Sequence, residues 1–231
     1  HLKDPRARDA ITAAARAFGW DTWQRRPGHG RGIAFARYKN IAGYCAVAME
    51  VVVNPANGHV RVLRAVASAD CGHIVNPDGV SNQIEGGLVQ SLSWTLKEQI
   101  HFDEHQVLST DWASYPILGF GEVPPVEVVL INRPGAPFLG TGEASQGPTG
   151  AALANAVNIV TQGWAWKIGL LAGGMGDVPA RHAIAATWIG KAGNQLLPGK
   201  VGDKDVTIID AFEAVGACAR GLISREQVDE I

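Results

Sequence analysis

The segment IAGYCAVAMEVVVNPANGHVRVLRAVASAD, residues 41–70, carries the strongest structural signal in the chain. Its first half is apolar and rich in β-branched residues, and the same character returns after the short polar stretch NPANGH. That stretch contains Asn57–Gly58, a pair that favours the tight turn of a β-hairpin because both residues tolerate a positive φ. Arg61 and Arg64 interrupt the second apolar run, so we expect two paired strands with one face partly in solvent.

Helical periodicity surrounds this hairpin. Residues 5–18 place alanines, an isoleucine and a phenylalanine at helical spacing, which predicts an amphipathic helix. Residues 82–98 repeat large aliphatic residues every four positions and predict a second helix. Residues 148–162 predict a third, which begins at a proline suited to the first helical position. The run PPVEVVLI, residues 124–131, predicts an edge strand, because proline cannot donate to a β-ladder.

Two stretches are typical of loops. RRPGHGRG, residues 25–32, is basic and rich in glycine, so it could contact an anionic group, but a solvated linker is the preferred interpretation. DCGHIVNPDGV, residues 70–80, contains Asn-Pro and Asp-Gly pairs, which favour turns.

Glycines mark two further positions. Gly86–Gly87 interrupts the helix predicted for residues 82–98, and glycine costs a helix about 1 kcal/mol relative to alanine. Tight helix packing explains this pair as well as does the close approach of another backbone or a ligand. GTGEASQGPTG, residues 140–150, holds Glu143 among small residues just ahead of a predicted helix N-terminus, where negative charge is favoured. The pattern by itself favours an exposed loop acid over a functional one.

Composition bears on the class of protein. With 46% hydrophobic residues in 231, the chain is typical of globular proteins rather than disordered ones. A formal net charge of -2 gives no electrostatic basis for binding nucleic acid or an anionic membrane surface. No long apolar run predicts insertion into a membrane. No targeting segment is recognised, so a cytoplasmic and a periplasmic location both stay open.

The cysteines and histidines do not predict a metal site. Cys45, Cys71 and Cys218 are too widely spaced for a disulfide framework or a closed zinc site. His101 and His105 are four residues apart, but the polar residues around them predict a solvated hairpin turn.

Three segments, taken in order, resemble a known family: AVASADCGHIVNPDGVSNQIEGGLVQSLSWTLKEQI, DWASYPIL and PPVEVVLINRPGAPFLGTGEASQGPTGAALANAV. They are similar to the C-terminal part of molybdopterin-binding subunits of the xanthine dehydrogenase and aldehyde oxidase family, in particular the isoquinoline 1-oxidoreductase and nicotinate dehydrogenase type. The resemblance covers residues 1–162. It implies an α+β domain in which helices 82–98 and 148–162 flank a mixed sheet, which residues 41–69 and 124–131 would form.

The resemblance also implies roles for five residues. Glu143, in GTGEA, matches the glutamate that acts in this family as general base and activates a water-derived oxygen for attack on an electron-poor carbon. Gln83, in NQIEGG, matches the glutamine that hydrogen-bonds an oxo ligand of the molybdenum. Gly86, Gly87 and Gly142 would let the backbone approach the cofactor. The implied function is hydroxylation of an N-heterocycle or an aldehyde carbon, a small-molecule oxidoreductase activity.

The resemblance leaves part of the site to other chain segments. The family's other cofactor-binding motifs precede the matched region, so the molybdenum cofactor (molybdopterin type) would be shared with the upstream part of the large subunit. Electrons would leave through a small iron–sulfur subunit, and no iron–sulfur ligands are expected in this chain. Whether the chain is itself an enzyme is therefore open, and the alternative is a non-catalytic folded fragment.

The end of the sequence resembles a different family. LLPGKVGDKDVTIIDAFEAVGACARGLISREQVDEI, residues 196–231, is similar to a scaffold segment of dihydroxy-acid dehydratase and is predicted to be mostly helical. Residues 163–195 match neither family clearly and form a junction of unclear origin. We interpret the whole as a hybrid reading frame, with a dehydratase-related piece (a lyase) as the third functional hypothesis.

Overall fold

A computed structural model describes residues 2–24, 26–39 and 43–172, with side chains described as far as Thr161. The sheet and the candidate site belong to one compact unit, His1–Ile159, and a second unit begins at Val160. The dehydratase-like segment 196–231 and most of the junction 163–195 lie outside the described residues.

The centre of the first unit is a four-stranded mixed sheet in which sequence neighbours are also spatial neighbours. The first three strands are antiparallel and the fourth pairs parallel with the third at the sheet edge. The strands are β1 (His29–Tyr38), β2 (Gly43–Val53), β3 (Val60–Asp70) and β4 (Val126–Leu130). Helices flank this sheet, so the predicted α+β class is confirmed, as are the hairpin of β2 with β3 and the edge strand at residues 124–131.

The turn between β2 and β3 comprises residues 54–59, and of the pair Asn57–Gly58 only the glycine adopts a positive φ. Gly58 has a φ of 73°, which L residues rarely adopt, and the side chain of Asn57 accepts a hydrogen bond from the His59 N–H at 3.0 Å. A β-bulge at Glu50 and Val51 shifts the register farther along the hairpin.

One face of the sheet packs against α1 (Pro5–Phe18), the predicted first helix. Asp4 caps the helix by accepting from the Arg6 N–H at 3.0 Å, and Gly19 ends it with a φ of 70°. Small residues let the helix lie close to the sheet, and Tyr44 joins its alanines in one buried cluster. Ser68 donates to the Ala10 carbonyl at 2.6 Å in the same layer.

The opposite face approaches the third helix, α3 (Gln146–Ala172). Gly32 of β1 pairs with Met49, whose side chain points away from α1. A Cβ on Gly32 would lie 2.0 Å from the Ala152 carbonyl oxygen, so only glycine allows this contact. Asn155 donates to the Ile33 carbonyl at 3.1 Å and fixes the same approach.

Helix boundaries differ from the prediction at both later helices. α2 (Pro77–Leu96) begins before residue 82, because Asn76 accepts from the Gly79 N–H at 2.9 Å and Pro77 occupies the first turn. The Asn-Pro and Asp-Gly pairs thus mark a helix start rather than a loop. α3 begins two residues before Pro148 and continues past residue 162. None of the described helices is both long and apolar enough to cross a membrane.

The linker interpretation of residues 25–32 is wrong for its second half, because His29 starts β1. Arg26, His29 and Arg31 share an internal partner. Glu50, with a side chain only 10% exposed, lies 2.6 Å from Arg26 Nη2, 3.1 Å from His29 Nδ1 and 3.3 Å from Arg31 Nε. A buried carboxylate needs such partners, so removing any of them would leave the Glu50 charge less well compensated.

Candidate functional site

The loop of residues 140–145 lies along the first half of α2, and glycine makes that approach possible. A Cβ on Gly87 would lie 2.6 Å from Ser145 Oγ and 3.3 Å from the Gly142 carbonyl oxygen. Ser145 is buried and donates to the Ile84 carbonyl at 2.9 Å. At Gly87 the described contacts are therefore those of another backbone segment, the loop 140–145, in close approach to the helix.

Further bonds continue this seam into the start of α3. Ser91 of α2 donates to the Gln146 carbonyl at 2.8 Å, and the Gln146 side-chain amide donates to Gln90 Oε1 at 3.0 Å. Thr149 is buried and donates back to the Ser145 carbonyl at 2.7 Å. Loop, α2 and the first turn of α3 are thus held together by side-chain to backbone bonds that compensate the burial of their polar groups.

The outer side of the seam carries the predicted site residues. Gln83, Gly86 and Glu143 are exposed. Gln83 Oε1 lies 3.5 Å from the point where a Cβ on Gly142 would be, so the loop and this amide face each other. A Cβ on Gly86 would meet nothing within 4 Å. Gly86 lies three residues after Gln83, so the two share one face of α2. The structure therefore brings Gln83 close to Gly142, the residue that precedes Glu143, and leaves Gly86 open to solvent on the same face of α2.

Glu143 sits in the turn that leads into α3, and its carbonyl accepts from the Gln146 N–H at 3.2 Å. The Tyr38 hydroxyl donates to Glu143 Oε2, and this bond raises the pKa of the Tyr38 phenol. Sequence reasoning missed Tyr38 and Ser145. No local signal marks Tyr38, because its approach to Glu143 depends on the position of β1 in the sheet.

The site residues fit one side of a molybdenum–pterin group. An amide and a carboxylate can hydrogen-bond oxo and hydroxo groups, and Gly86 leaves space for a ligand to approach the helix backbone. Residues 2–24, 26–39 and 43–172 bring no three His, Cys, Asp or Glu side chains together as metal ligands.

Curated relatives include two enzyme subunits. One belongs to the nicotinate dehydrogenase of Pseudomonas putida and is 40% identical over an alignment of 171 residues, which covers 68% of this chain and 14% of that protein. The other is the beta subunit of isoquinoline 1-oxidoreductase from Brevundimonas diminuta, 29% identical over 164 residues, 70% of this chain and 21% of that one. The chain thus spans only 14% to 21% of the length of these relatives.

A third relative belongs to the other family. Dihydroxy-acid dehydratase of Acidothermus cellulolyticus is 57% identical over 58 residues, 25% of this chain and 10% of that protein. A match of 58 residues is longer than the segment 196–231, so the similar region extends beyond the predicted bounds.

The family model described as "Molybdopterin cofactor-binding domain" matches residues 5–124. The match includes α1, the three antiparallel strands and all of α2, and therefore contains Gln83, Gly86 and Gly87. It covers more than half of the chain. The chain belongs to the family of molybdopterin cofactor-binding domains.

Proposed function

We propose that this chain supplies the general-base side of a molybdenum hydroxylase site, which hydroxylates an N-heterocycle or an aldehyde carbon with oxygen from water. The observation that supports the proposal is the closeness of Gln83 to the loop that carries Glu143: Gln83 Oε1 lies 3.5 Å from the point where a Cβ on Gly142, the residue before Glu143, would be. The family match ends at residue 124, so the role of Glu143 rests on its GTGEA motif and on this geometry.

Glu143 would act as the base. Its carboxylate is exposed on a loop whose buried side is bonded to α2, so the acid is presented to solvent from a fixed support. A base must reach the proton that it removes within about 3 Å, and such a support limits the search for that geometry. Gln83 would orient the reacting group, because its amide can donate and accept hydrogen bonds without changing charge.

The molybdenum–pterin group, when bound, would supply the oxygen-transfer and two-electron chemistry that no amino-acid side chain provides. Gly86, with no neighbour within 4 Å of a hypothetical Cβ, would let it approach the helix backbone. Gly87 would act differently: it brings the loop that carries Glu143 close to α2. The proposed cofactor contact at Gly87 is thus indirect.

We propose the rest of a molybdopterin-binding large subunit as the first partner. The relatives are named subunits and are several times longer than their matched regions. Residues 94–120 expose eight large apolar side chains, which is more than isolated surface hydrophobics would explain. These are Trp94, Ile100, Phe102, Val107, Leu108, Trp112, Ile117 and Phe120. A small iron–sulfur subunit is the proposed electron acceptor, and the membrane and nucleic acid are not proposed partners.

The experiment pairs this chain with a complementing polypeptide, defined as the Pseudomonas putida nicotinate dehydrogenase subunit from which the 171 matched residues are deleted. Molybdenum and pterin content are measured first, and then turnover of nicotinate, isoquinoline and benzaldehyde with an artificial electron acceptor. The excised Pseudomonas segment, supplied in trans, is the positive control for assembly.

We expect E143Q to retain molybdenum and to lose turnover by a factor of about 10² to 10⁴, the usual contribution of a general base. D21N, which removes another exposed carboxylate outside both the candidate site and residues 94–120, should keep full turnover. An E143Q assembly as active as the unaltered one would sink the proposal. Failure of this chain to recruit molybdenum where the Pseudomonas segment succeeds would instead support the non-catalytic fragment or hybrid reading frame.

A further inference from the structure

Tyr38 ends β1 at the side of the sheet nearest the candidate site. It pairs with Gly43, the first residue of β2, and is half-buried. Its position is therefore set by the ladder between two long strands, rather than by the loop that contains Glu143.

The side chain of Tyr38 is directed by what packs around Gly43. A Cβ on Gly43 would lie 3.2 Å from Tyr38 Cβ and 3.4 Å from Leu139 Cδ2, so both side chains cover this glycine. The Leu139 N–H donates to the Cys71 carbonyl at 3.0 Å, which anchors that residue to the end of β3. Leu139 immediately precedes the loop 140–145, so the sheet, the loop and the phenol share one support.

The Tyr38 hydroxyl donates to Glu143 Oε2. This contact holds one carboxylate oxygen and leaves Oε1 available to accept a proton. A tyrosine phenol has an ordinary pKa of about 10 and is therefore a proton donor at neutral pH, and the hydrogen bond to Glu143 raises the Tyr38 pKa further. The Lys39 ammonium lies 5.7 Å from the centroid of the Tyr38 ring, on its face, and not in the bond itself.

We infer that Tyr38 is a positioning residue for Glu143: its hydroxyl fixes the carboxylate through one oxygen and so sets the direction in which the other faces the reacting group. The inference rests on the proposed function of Glu143, and it adds a residue from β1 to a site otherwise composed of α2 and the loop 140–145.

The test uses the full chain with ¹³C-labelled glutamate side chains, observed by NMR at one neutral pH. The Glu143 carboxyl resonance is assigned by its disappearance in E143Q. We expect Y38F to move this resonance toward the position of freely solvated glutamates such as Glu104. Y44F is the matched control. The Tyr44 hydroxyl donates to Asp4 at 2.9 Å, so this substitution removes an equivalent hydrogen bond elsewhere on the sheet. An unmoved Glu143 resonance in folded Y38F, or an equal shift in Y44F, overturns the inference.

Kinetics of the cofactor-loaded assembly give a second measurement. Loss of one hydrogen bond to a charged group should lower kcat about 10-fold in Y38F with KM unchanged, and Y44F should match the unaltered assembly. If the E143Q assembly is inactive but the Y38F assembly keeps an unchanged kcat, the positioning role of Tyr38 is overturned. If the Glu143 resonance shifts in Y38F but the E143Q assembly is fully active, only the proposed function of Glu143 is contradicted, because Tyr38 then still holds the carboxylate.

Discussion

Ser145 donates its hydroxyl to the backbone carbonyl of Ile84 at 2.9 Å, and both residues are buried. Ser145 follows Glu143 by two positions, and Ile84 directly follows Gln83. This one bond therefore links the two segments that carry the acid and the amide of the candidate site. Because water does not reach it, nothing from solvent would replace it if either partner moved.

The Gly87→Ala substitution tests this seam. The new Cβ would lie 2.6 Å from Ser145 Oγ, so the hydroxyl must abandon Ile84 or the loop must move. We expect the free energy of unfolding to fall by about 1–3 kcal/mol, in spite of the higher helix propensity of alanine. Urea unfolding followed by circular dichroism measures this change.

Gly86→Ala is the control on the same helix. The added Cβ has no neighbour within 4 Å, so the substitution should stabilise the helix by about 0.5–1 kcal/mol. If G87A proves as stable as G86A, the packing explanation for Gly87 is wrong.

The parts of the fold that the sequence predicts well are those with local causes. Asn57–Gly58 specifies the hairpin turn, and the periodicity of residues 5–18 specifies α1 with its correct ends. β1 was missed because its first residues, His29 to Gly32, are glycines and basic side chains that are usual in loops. They form a strand because β2 offers a ladder and Glu50 offers a buried negative charge, and both lie farther along the chain.

The candidate site likewise combines features that the local sequence predicts with contacts between residues that are distant in the sequence. The resemblance to a known family names Gln83 and Glu143, but no pattern in the sequence joins Tyr38 to Glu143 or Ser145 to Ile84. These pairs are 105 and 61 positions apart. Their contacts depend on the register of β1 and on the closeness of a loop to a helix, which only the folded chain determines.

Asp70→Asn should be strongly destabilising. The Asp70 side chain is 0% exposed and accepts bonds from Arg6 Nη2 at 2.5 Å and Arg133 Nε at 2.9 Å. Removing one partner of a fully buried ion pair costs about 3–5 kcal/mol. Because the Arg6 and Arg133 side chains are 26% and 32% exposed and solvent screens them, we expect about 2–3 kcal/mol here. Asp9 also pairs with Arg133, but its side chain is 52% exposed, so D9N should cost less than about 1 kcal/mol. Denaturant unfolding measures the loss of unfolding free energy in D70N and in D9N. Equal losses would contradict the conclusion that Asp70 is the buried partner on which stability depends.

Asp70 also predicts a pH dependence of stability. Burial raises the pKa of this carboxyl, but bonds from Arg6, Arg133 and the Gly72 N–H outweigh burial, and the folded pKa is lowered. A lowered folded pKa contributes stability above the unfolded value of about 3.9 and loses it as pH falls through the folded one. The stability of the unaltered chain should therefore drop more steeply below about pH 4 than that of D70N. If the stability of the unaltered chain and that of D70N fall in parallel as the pH is lowered, Asp70 does not cause the acid sensitivity.

The described cysteines should be unreactive in the folded chain. Cys45 is 0% exposed and burial raises its pKa to about 12, while Cys71 is 2% exposed and burial raises its pKa as well. Thiolate is the reactive form, so both should resist a disulfide-exchange reagent at about pH 8 and react once denaturant is added. Peptide mass mapping assigns each label, and prompt labelling of Cys45 under native conditions would contradict its burial.

Trp112 and Phe120 should matter for assembly and little for folding. Their exposed fractions are 76% and 103%, so W112S/F120S removes no core contact and should leave the unfolding midpoint unchanged. If residues 94–120 bind the rest of the large subunit, the double variant should bind the complementing polypeptide at least about 10-fold more weakly, since buried aromatics dominate such interfaces. V75S, at a side chain 74% exposed but outside this stretch, is the control. Equal affinity of the double variant and V75S, measured by titration calorimetry, would show that the apolar stretch has another role.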